Sequence, residues 1–220
     1  SSSHSPDLGE PKSQEASLNF SRNLSQKNSN QKKSNQRFLI AIESSCDDTS
    51  VALFSISKEQ DGFPCVGELV DLKSFSQIEQ LEYWQGVVPE IAARHHMEKL
   101  TELTQYFKQS HQLSPQQISG IAVTTLPGLV GPLLTGIHLA KTLSLLTKAP
   151  LYPANHLIAH LEAIFLSPEA DKISYPYLGV LLSGGHSFFA LVKSSHELEI
   201  LASTQDDAAG EAFDKGGKMM

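Results

Sequence analysis

Phe38-Leu39-Ile40-Ala41-Ile42-Glu43-Ser44-Ser45-Cys46-Asp47-Asp48-Thr49-Ser50-Val51-Ala52-Leu53-Phe54-Ser55-Ile56 is the stretch on which the fold turns. Phe38–Ile42 is an unbroken apolar run of strand length, and Val51–Ile56 reads as a second strand. The eight residues between them are small and polar and contain no glycine. Two readings of that turn stay open. It is a hairpin turn in which Asp and Ser side chains bond the local backbone, or an acidic, hydroxyl-bearing turn that faces phosphates and a metal. Spacing alone favours the plain hairpin.

Upstream, residues 1–37 are rich in Ser, Asn, Gln and Lys and poor in apolar side chains. That composition predicts a disordered polar tail, with the folded domain running from 38 to 220. Residues 16–37 carry bases and no acids, as transit peptides do, but show no amphipathic stripe, so a solvated tail is the expectation. Ser1 stands where a Met would open a complete chain, which suggests a fragment or a processed form. The net charge of −7 conceals an asymmetry, because the tail is basic and the remainder strongly acidic. An acidic domain does not advertise nucleic-acid binding by bulk charge, so any such grip must come from local patches or partners. Two cysteines, Cys46 and Cys65, make no disulfide framework, and a reducing compartment is expected. No apolar run reaches membrane-span length, so no membrane role is expected.

Downstream, a third strand is predicted over Val66–Leu72 and a long helix from Pro89 to about Gln109. Within that helix His95 and His96 are expected on the polar surface. Ile118–Thr125 reads as a strand, followed by the Gly/Pro-rich turn Leu126–Pro132 and a helix over 133–147. That turn either offers backbone N–H groups to an anion or simply lets strand and helix pack closely; no Gly-Lys-Ser/Thr follows, so it is not a Walker loop. Leu151–Pro153 reads as a short strand and Asn155–Leu166 as a helix. Tyr177–Leu182 and Ser187–Val192 read as strands joined by Ser183-Gly184-Gly185-His186, a hairpin whose glycines permit positive φ and close backbone approach to a ligand. Asp206–Lys215 reads as an acid-capped helix start.

His156 and His160 are four residues apart in the helix that Asn155 opens. Helical geometry puts them on one face, one turn apart, where two imidazoles can hold a single metal ion. Roughly 0.4 such pairs arise by chance with this histidine content, so the pair depends on its surroundings.

Those surroundings form six ordered blocks. Ile42–Thr49 resembles the opening motif of the TsaD family, also called the O-sialoglycoprotein endopeptidase-like family, and Gly86–His95 is similar to its second block. Pro127–Gly131 resembles its glycine turn, His156…His160 its metal motif, and Leu182–His186 and Asp206–Lys215 its next two blocks. Leu126 departs from the pattern, standing where the family usually has glycine.

The resemblance implies an α/β, actin-like ATPase (sugar kinase/Hsp70/actin) fold, with the first lobe complete and the second truncated. It implies transfer of a threonylcarbamoyl group from threonylcarbamoyl-adenylate to N6 of the adenosine following the anticodon, in tRNAs that read ANN codons. By the same likeness His156 and His160 are ligands of one metal ion, iron as Fe(2+) first, with zinc or magnesium as the alternatives, completed by a later aspartate. Leu181, Leu182, Ser183, Gly184 and Gly185 line the substrate, and Asp214 binds the adenylate ribose. TsaB-like and TsaE-like proteins are the implied partners and the cytoplasm the implied compartment, with the mitochondrion as the alternative if the tail is a transit peptide. The fragment by itself is expected to be inactive.

Two rival readings have sequence-level tests. A zinc peptidase of the His-Glu-x-x-His kind needs glutamate where this chain has Leu157, and Glu162 lies beyond the pair. A non-catalytic TsaB-like scaffold lacks the paired helix histidines that this chain carries.

Overall fold

The structure is a computed structural model, and it describes residues 36–60, 63–77, 89–195 and 197–219. The predicted tail therefore lies outside the described residues apart from Gln36 and Arg37, as does the Gly86–Val88 opening of the second sequence block. Arg37 already joins the sheet: its carbonyl accepts from the Ile56 amide at 2.9 Å, and its guanidinium donates to Ser119 Oγ at 2.5 Å.

β1 (Phe38–Glu43) is the middle strand of a five-stranded sheet ordered β3-β2-β1-β4-β5. β2 (Asp48–Gln60) returns antiparallel to it and β3 (Phe63–Ser76) antiparallel to β2; β4 (Ile118–Leu126) and β5 (Leu151–Asn155) run parallel to β1. The unbroken apolar run of β1 follows from burial on both faces, since Phe38, Leu39, Ile40 and Ile42 are all buried. Register places Leu53, Ile40 and Ile121 in one row and Val51, Ile42 and Val123 in the next. Leu53 and Ile121 are fully buried, and each such side chain contributes about 1.5–3 kcal/mol by leaving water. α1 (Pro89–Ser110) adds Leu100 and Phe107 to this core, and α2 (Val130–Thr147) adds Ala140. This five-stranded sheet of mixed directions, packed against helices, is the α/β architecture the sequence leads one to expect.

α3 (His156–Glu162) follows β5, and its Leu157 and Leu161 pack into a second core with Leu181, Phe188, Ala190 and Val192. Those residues belong to the antiparallel meander β6 (Tyr177–Leu182), β7 (Ser187–Ser194) and β8 (Glu197–Ser203), after which α4 (Ala209–Met219) completes the described chain. Among the described residues no helix is long and apolar enough to cross a membrane.

Several boundaries and one burial differ from the sequence reading. α2 begins at Val130 rather than Leu133, because the Pro132 ring fits a first helical turn, where its missing N–H costs nothing. The helix opened by Asn155 is α-helical only to Glu162; a 3-10 turn over Ala163–Leu166 replaces its second half. β8 has no counterpart in the sequence reading, and six of its seven residues are exposed in an edge position. His96, expected on the surface of α1, is fully buried. Its Nε2 donates to the Cys46 carbonyl at 3.0 Å, so Nδ1 is the acceptor of the Thr49 hydroxyl at 2.7 Å. With both nitrogens satisfied, the ring fills the space between α1 and the 44–49 turn.

Candidate active site

Parallel strands bring their C-terminal ends to one edge of a sheet, and that edge is where open α/β sheets bind ligands. Here β1 ends at Glu43, β4 passes through Thr124 to Leu126, and β5 ends at Asn155. Asn155 caps α3, its Oδ1 accepting from the Leu157 and Ile158 amides at 2.9 and 3.2 Å. The cap aims the first turn of α3, and with it His156, across the ends of β1 and β4.

Glu43 gathers the edge. Its Oε1 accepts the Ser45 amide at 2.5 Å; its Oε2 accepts the Thr124 hydroxyl at 2.5 Å and lies 3.2 Å from His156 Nδ1. Burial alone raises a carboxyl, but the hydrogen bonds from His156, Ser45 and Thr124 outweigh it and hold Glu43 at about 2. Ser45 Oγ also lies 3.1 Å from His156 Nδ1. His156 Nε2 faces His160 Nε2 at 3.1 Å, with the rings edge to face. His186 stands beside them, its ring centroid 6.4 Å from that of His156. Burial and then the neighbouring His156 lower the basicity of both His160 and His186, which favours their neutral form near neutrality.

The spacing of the two ring nitrogens suits a shared metal ion. Ligand nitrogens about 2.1 Å from a first-row divalent ion at tetrahedral or octahedral angles lie about 3.0–3.4 Å apart. The observed separation of 3.1 Å fits that range without any rotation. Among the described residues no cluster of three or more His, Cys, Asp or Glu is arranged to hold a metal, so the described edge offers a pair of ligands rather than a closed set.

The turn from β4 into α2 closes on the same edge. The Leu129 amide donates to the Ser45 carbonyl at 2.8 Å. Gly128 lies so close beneath that a Cβ there would stand 2.6 Å from the Ser45 oxygen. Glycine is therefore required by close packing on the 44–47 turn. Leu126, the departure from the family pattern, is exposed and paired in register with Asn155.

The hairpin expected at 183–186 is present, with Leu182 opposite Ser187 and the Ser183 amide donating to the His186 carbonyl at 2.8 Å. Ser183 Oγ accepts from the His186 amide at 3.0 Å. Neither hairpin glycine uses the positive φ open to it, which among the described glycines only Gly128 adopts, and the Ser183 side chain closes this turn. A Cβ on Gly184 or Gly185 would meet nothing within 4 Å, so their exposed backbone borders open space. α4 docks on this hairpin, the Gly210 amide donating to the Ser183 carbonyl at 3.2 Å. The Leu181 side chain is buried in the second core, whereas Leu182 is exposed and Asp214 is exposed on α4. The histidine pair and the hairpin thus share one neighbourhood through His186, and α4 is attached to the hairpin.

Two alternatives for nucleophile or base are engaged elsewhere. Glu162 accepts the Tyr175 hydroxyl at 2.6 Å and the Tyr177 hydroxyl at 3.2 Å, which ties the end of α3 to the second sheet. Burial, followed by the Asp47 carboxylate, pushes the Cys46 thiol up to about 11, too high for a thiolate at neutral pH. Glu43 and Thr124 had no role in the sequence reading; the one signal available was an acid ending a buried strand.

The fold and this edge define a mixed α/β protein whose candidate site gathers paired imidazoles and an open glycine hairpin rather than a phosphate-cradling Walker loop. Residues 68–220 match the model of the TsaD family, tRNA N6-adenosine threonylcarbamoyltransferase, and the chain belongs to that family. It is 41% identical over 185 residues to the protein of that name from Limosilactobacillus fermentum, covering 84% of this chain and 50% of the relative. The corresponding protein from Enterococcus faecalis is 39% identical over 186 residues, covering 84% and 50%. The chain thus spans about half the length of the curated relatives it matches. Among solved structures it is similar to YeaZ from Pseudomonas aeruginosa, with a TM-score of 0.43 at 13% identity over 76% of this chain and 65% of that one. It is also similar to an Aquifex aeolicus PPX-GPPA enzyme, with a TM-score of 0.39 at 9% identity over 77% and 52%.

Proposed function

We propose that the full-length protein transfers the threonylcarbamoyl group of threonylcarbamoyl-adenylate to N6 of the adenosine following the anticodon, in tRNAs that read ANN codons. The family match over residues 68–220 is the observation that supports this reading. The acyl donor is already activated, so no covalent enzyme intermediate is needed. The N6 amine attacks the carbamoyl carbon, the C–N bond forms as the C–O bond to AMP breaks, and the amine loses a proton. The task left to the protein is orientation and stabilisation of charge on the carbamoyl oxygen.

His156 and His160 would hold a single metal ion, iron first, through facing Nε2 atoms. Such an ion supplies a Lewis acid for the carbamoyl oxygen. The exposed Gly184 and Gly185 backbone offers N–H donors beside it, and Asp214 on α4 is the candidate ribose acceptor. Ser183 keeps the hairpin closed through its bonds to His186. Grip on the acidic domain's anionic substrate comes from local donors and from TsaB-like and TsaE-like partners, in the cytoplasm.

The test is a transfer assay with full-length protein, its partners, ATP, preformed threonylcarbamoyl-adenylate and unmodified tRNA, reading the modified nucleoside by mass spectrometry. Product with the wild type and none after His156→Ala or His160→Ala is expected. Full product from either variant contradicts the metal assignment; no product from a metal-loaded wild type contradicts the activity itself.

A further inference from the structure

We propose that Glu43 is a positioning residue that fixes His156 as its Nδ1–H tautomer and turns a bare Nε2 toward His160. The inference rests on the paired-imidazole reading above and assigns a role to a residue outside the pair. A neutral imidazole carries one proton, and the partner of one nitrogen decides which nitrogen holds it. His156 Nδ1 has two neighbours, Glu43 Oε2 at 3.2 Å and Ser45 Oγ at 3.1 Å. A serine hydroxyl suits either tautomer, because it donates or accepts. The carboxylate does not. Its two oxygens already take the Ser45 amide and the Thr124 hydroxyl, so every group facing it is a donor. A bare Nδ1 at this distance would set a lone pair against an anion. The proton therefore belongs on Nδ1, where it bonds Glu43, and Nε2 is left as the free donor atom.

The placement is built rather than incidental. Glu43 is the last residue of β1, Thr124 lies near the end of β4, and His156 opens α3 after β5. Three parallel strands thus converge on one carboxylate. The arrangement has the form of a carboxylate–histidine pair behind a metal ligand, in which the outer carboxylate sets ring orientation and donor strength. The facing Nε2 atoms at 3.1 Å are the consequence.

The experiment uses full-length protein labelled with 15N-histidine, metal-free and slightly alkaline, and long-range 1H–15N correlation spectra that report which ring nitrogen bears hydrogen. Wild-type His156 should show a protonated Nδ1 and a bare Nε2. Glu43→Gln presents both an acceptor and a donor to Nδ1, so the tautomers should mix, and cobalt(II) affinity should fall about 10–100-fold with an altered visible spectrum. Thr124→Val removes a bond to the same carboxylate without touching His156, and should keep both the tautomer and the cobalt affinity within about twofold. A wild-type His156 protonated on Nε2 overturns the proposal even if Glu43→Gln does not fold. So does a folded Glu43→Gln that retains both tautomer and affinity. A wild type that shows the Nδ1–H tautomer but binds no cobalt supports the positioning role and refutes the metal reading alone.

Discussion

Gly128→Ala should strongly destabilise this edge. Its Cβ would stand 2.6 Å from the Ser45 carbonyl oxygen, 2.8 Å from Ser45 Cβ and 3.1 Å from Leu133 Cγ. Two of these atoms belong to a turn that cannot easily withdraw. The Ser45 carbonyl holds the Leu129 amide at 2.8 Å, and the Ser45 amide is held by Glu43. Overpacking of this kind costs about 1–3 kcal/mol. Stretching the Leu129–Ser45 bond adds about 0.5–1.5 kcal/mol, so a loss of about 2–4 kcal/mol is expected. Urea unfolding of the full-length protein measures it as a lower midpoint at unchanged slope. Gly210→Ala should cost less, because it meets Gly184 Cα at 2.8 Å at the margin of the hairpin. Gly184→Ala meets nothing within 4 Å and should stay within about 0.5 kcal/mol of wild type. Equal, small effects at Gly128 and Gly184 would refute the claim that the 126–132 turn is pressed against the 44–47 turn.

Three further outcomes follow from the same contacts. His96→Leu should lower stability by about 1–3 kcal/mol, because the fully buried Thr49 Oγ1 loses its partner and the Cys46 carbonyl loses its bond; denaturant titration reads this directly. Burial, the largest influence on His96, holds the imidazole below its ordinary 6.5, so the unfolded chain takes up the proton first as the pH falls. Stability from this group is complete above pH 6.5 and declines as the pH drops beneath it, and the decline should be shallower in His96→Leu. Asn155→Ala should cost about 1 kcal/mol through loss of the α3 cap, and by loosening the first turn should weaken cobalt binding in a direct titration. His160→Ala should reduce bound metal in the purified full-length protein from about one equivalent to near none, by elemental mass spectrometry.

The sheet was legible because its strands are simple. Phe38–Ile42 is apolar on both faces and could only be a buried strand, and the β4–α2–β5 unit is written in apolar runs separated by Gly and Pro. β8 was not legible, because an edge strand with six exposed residues has neither the alternation nor the apolar run that marks a strand. His96 misled for a related reason. A lone polar residue on a helix reads as surface unless its partners are known, and Thr49 and Cys46 lie 47 and 50 residues away in the chain. The His156/His160 pair was visible from spacing, whereas Glu43 was hidden by a separation of 113 residues from His156. Its role depends on strand directions that sequence pattern does not state. Of the two readings of the 43–50 turn, the hairpin is present: residues 44–47 join β1 to the antiparallel β2, and Glu43 at its start lies beside His156.

The most direct measurement is the content of N6-threonylcarbamoyladenosine in tRNA from cells whose only copy of the full-length gene encodes His156→Ala. The account predicts loss of the modified nucleoside while the variant protein remains folded and at normal abundance. Wild-type levels of the modification in those cells would contradict it.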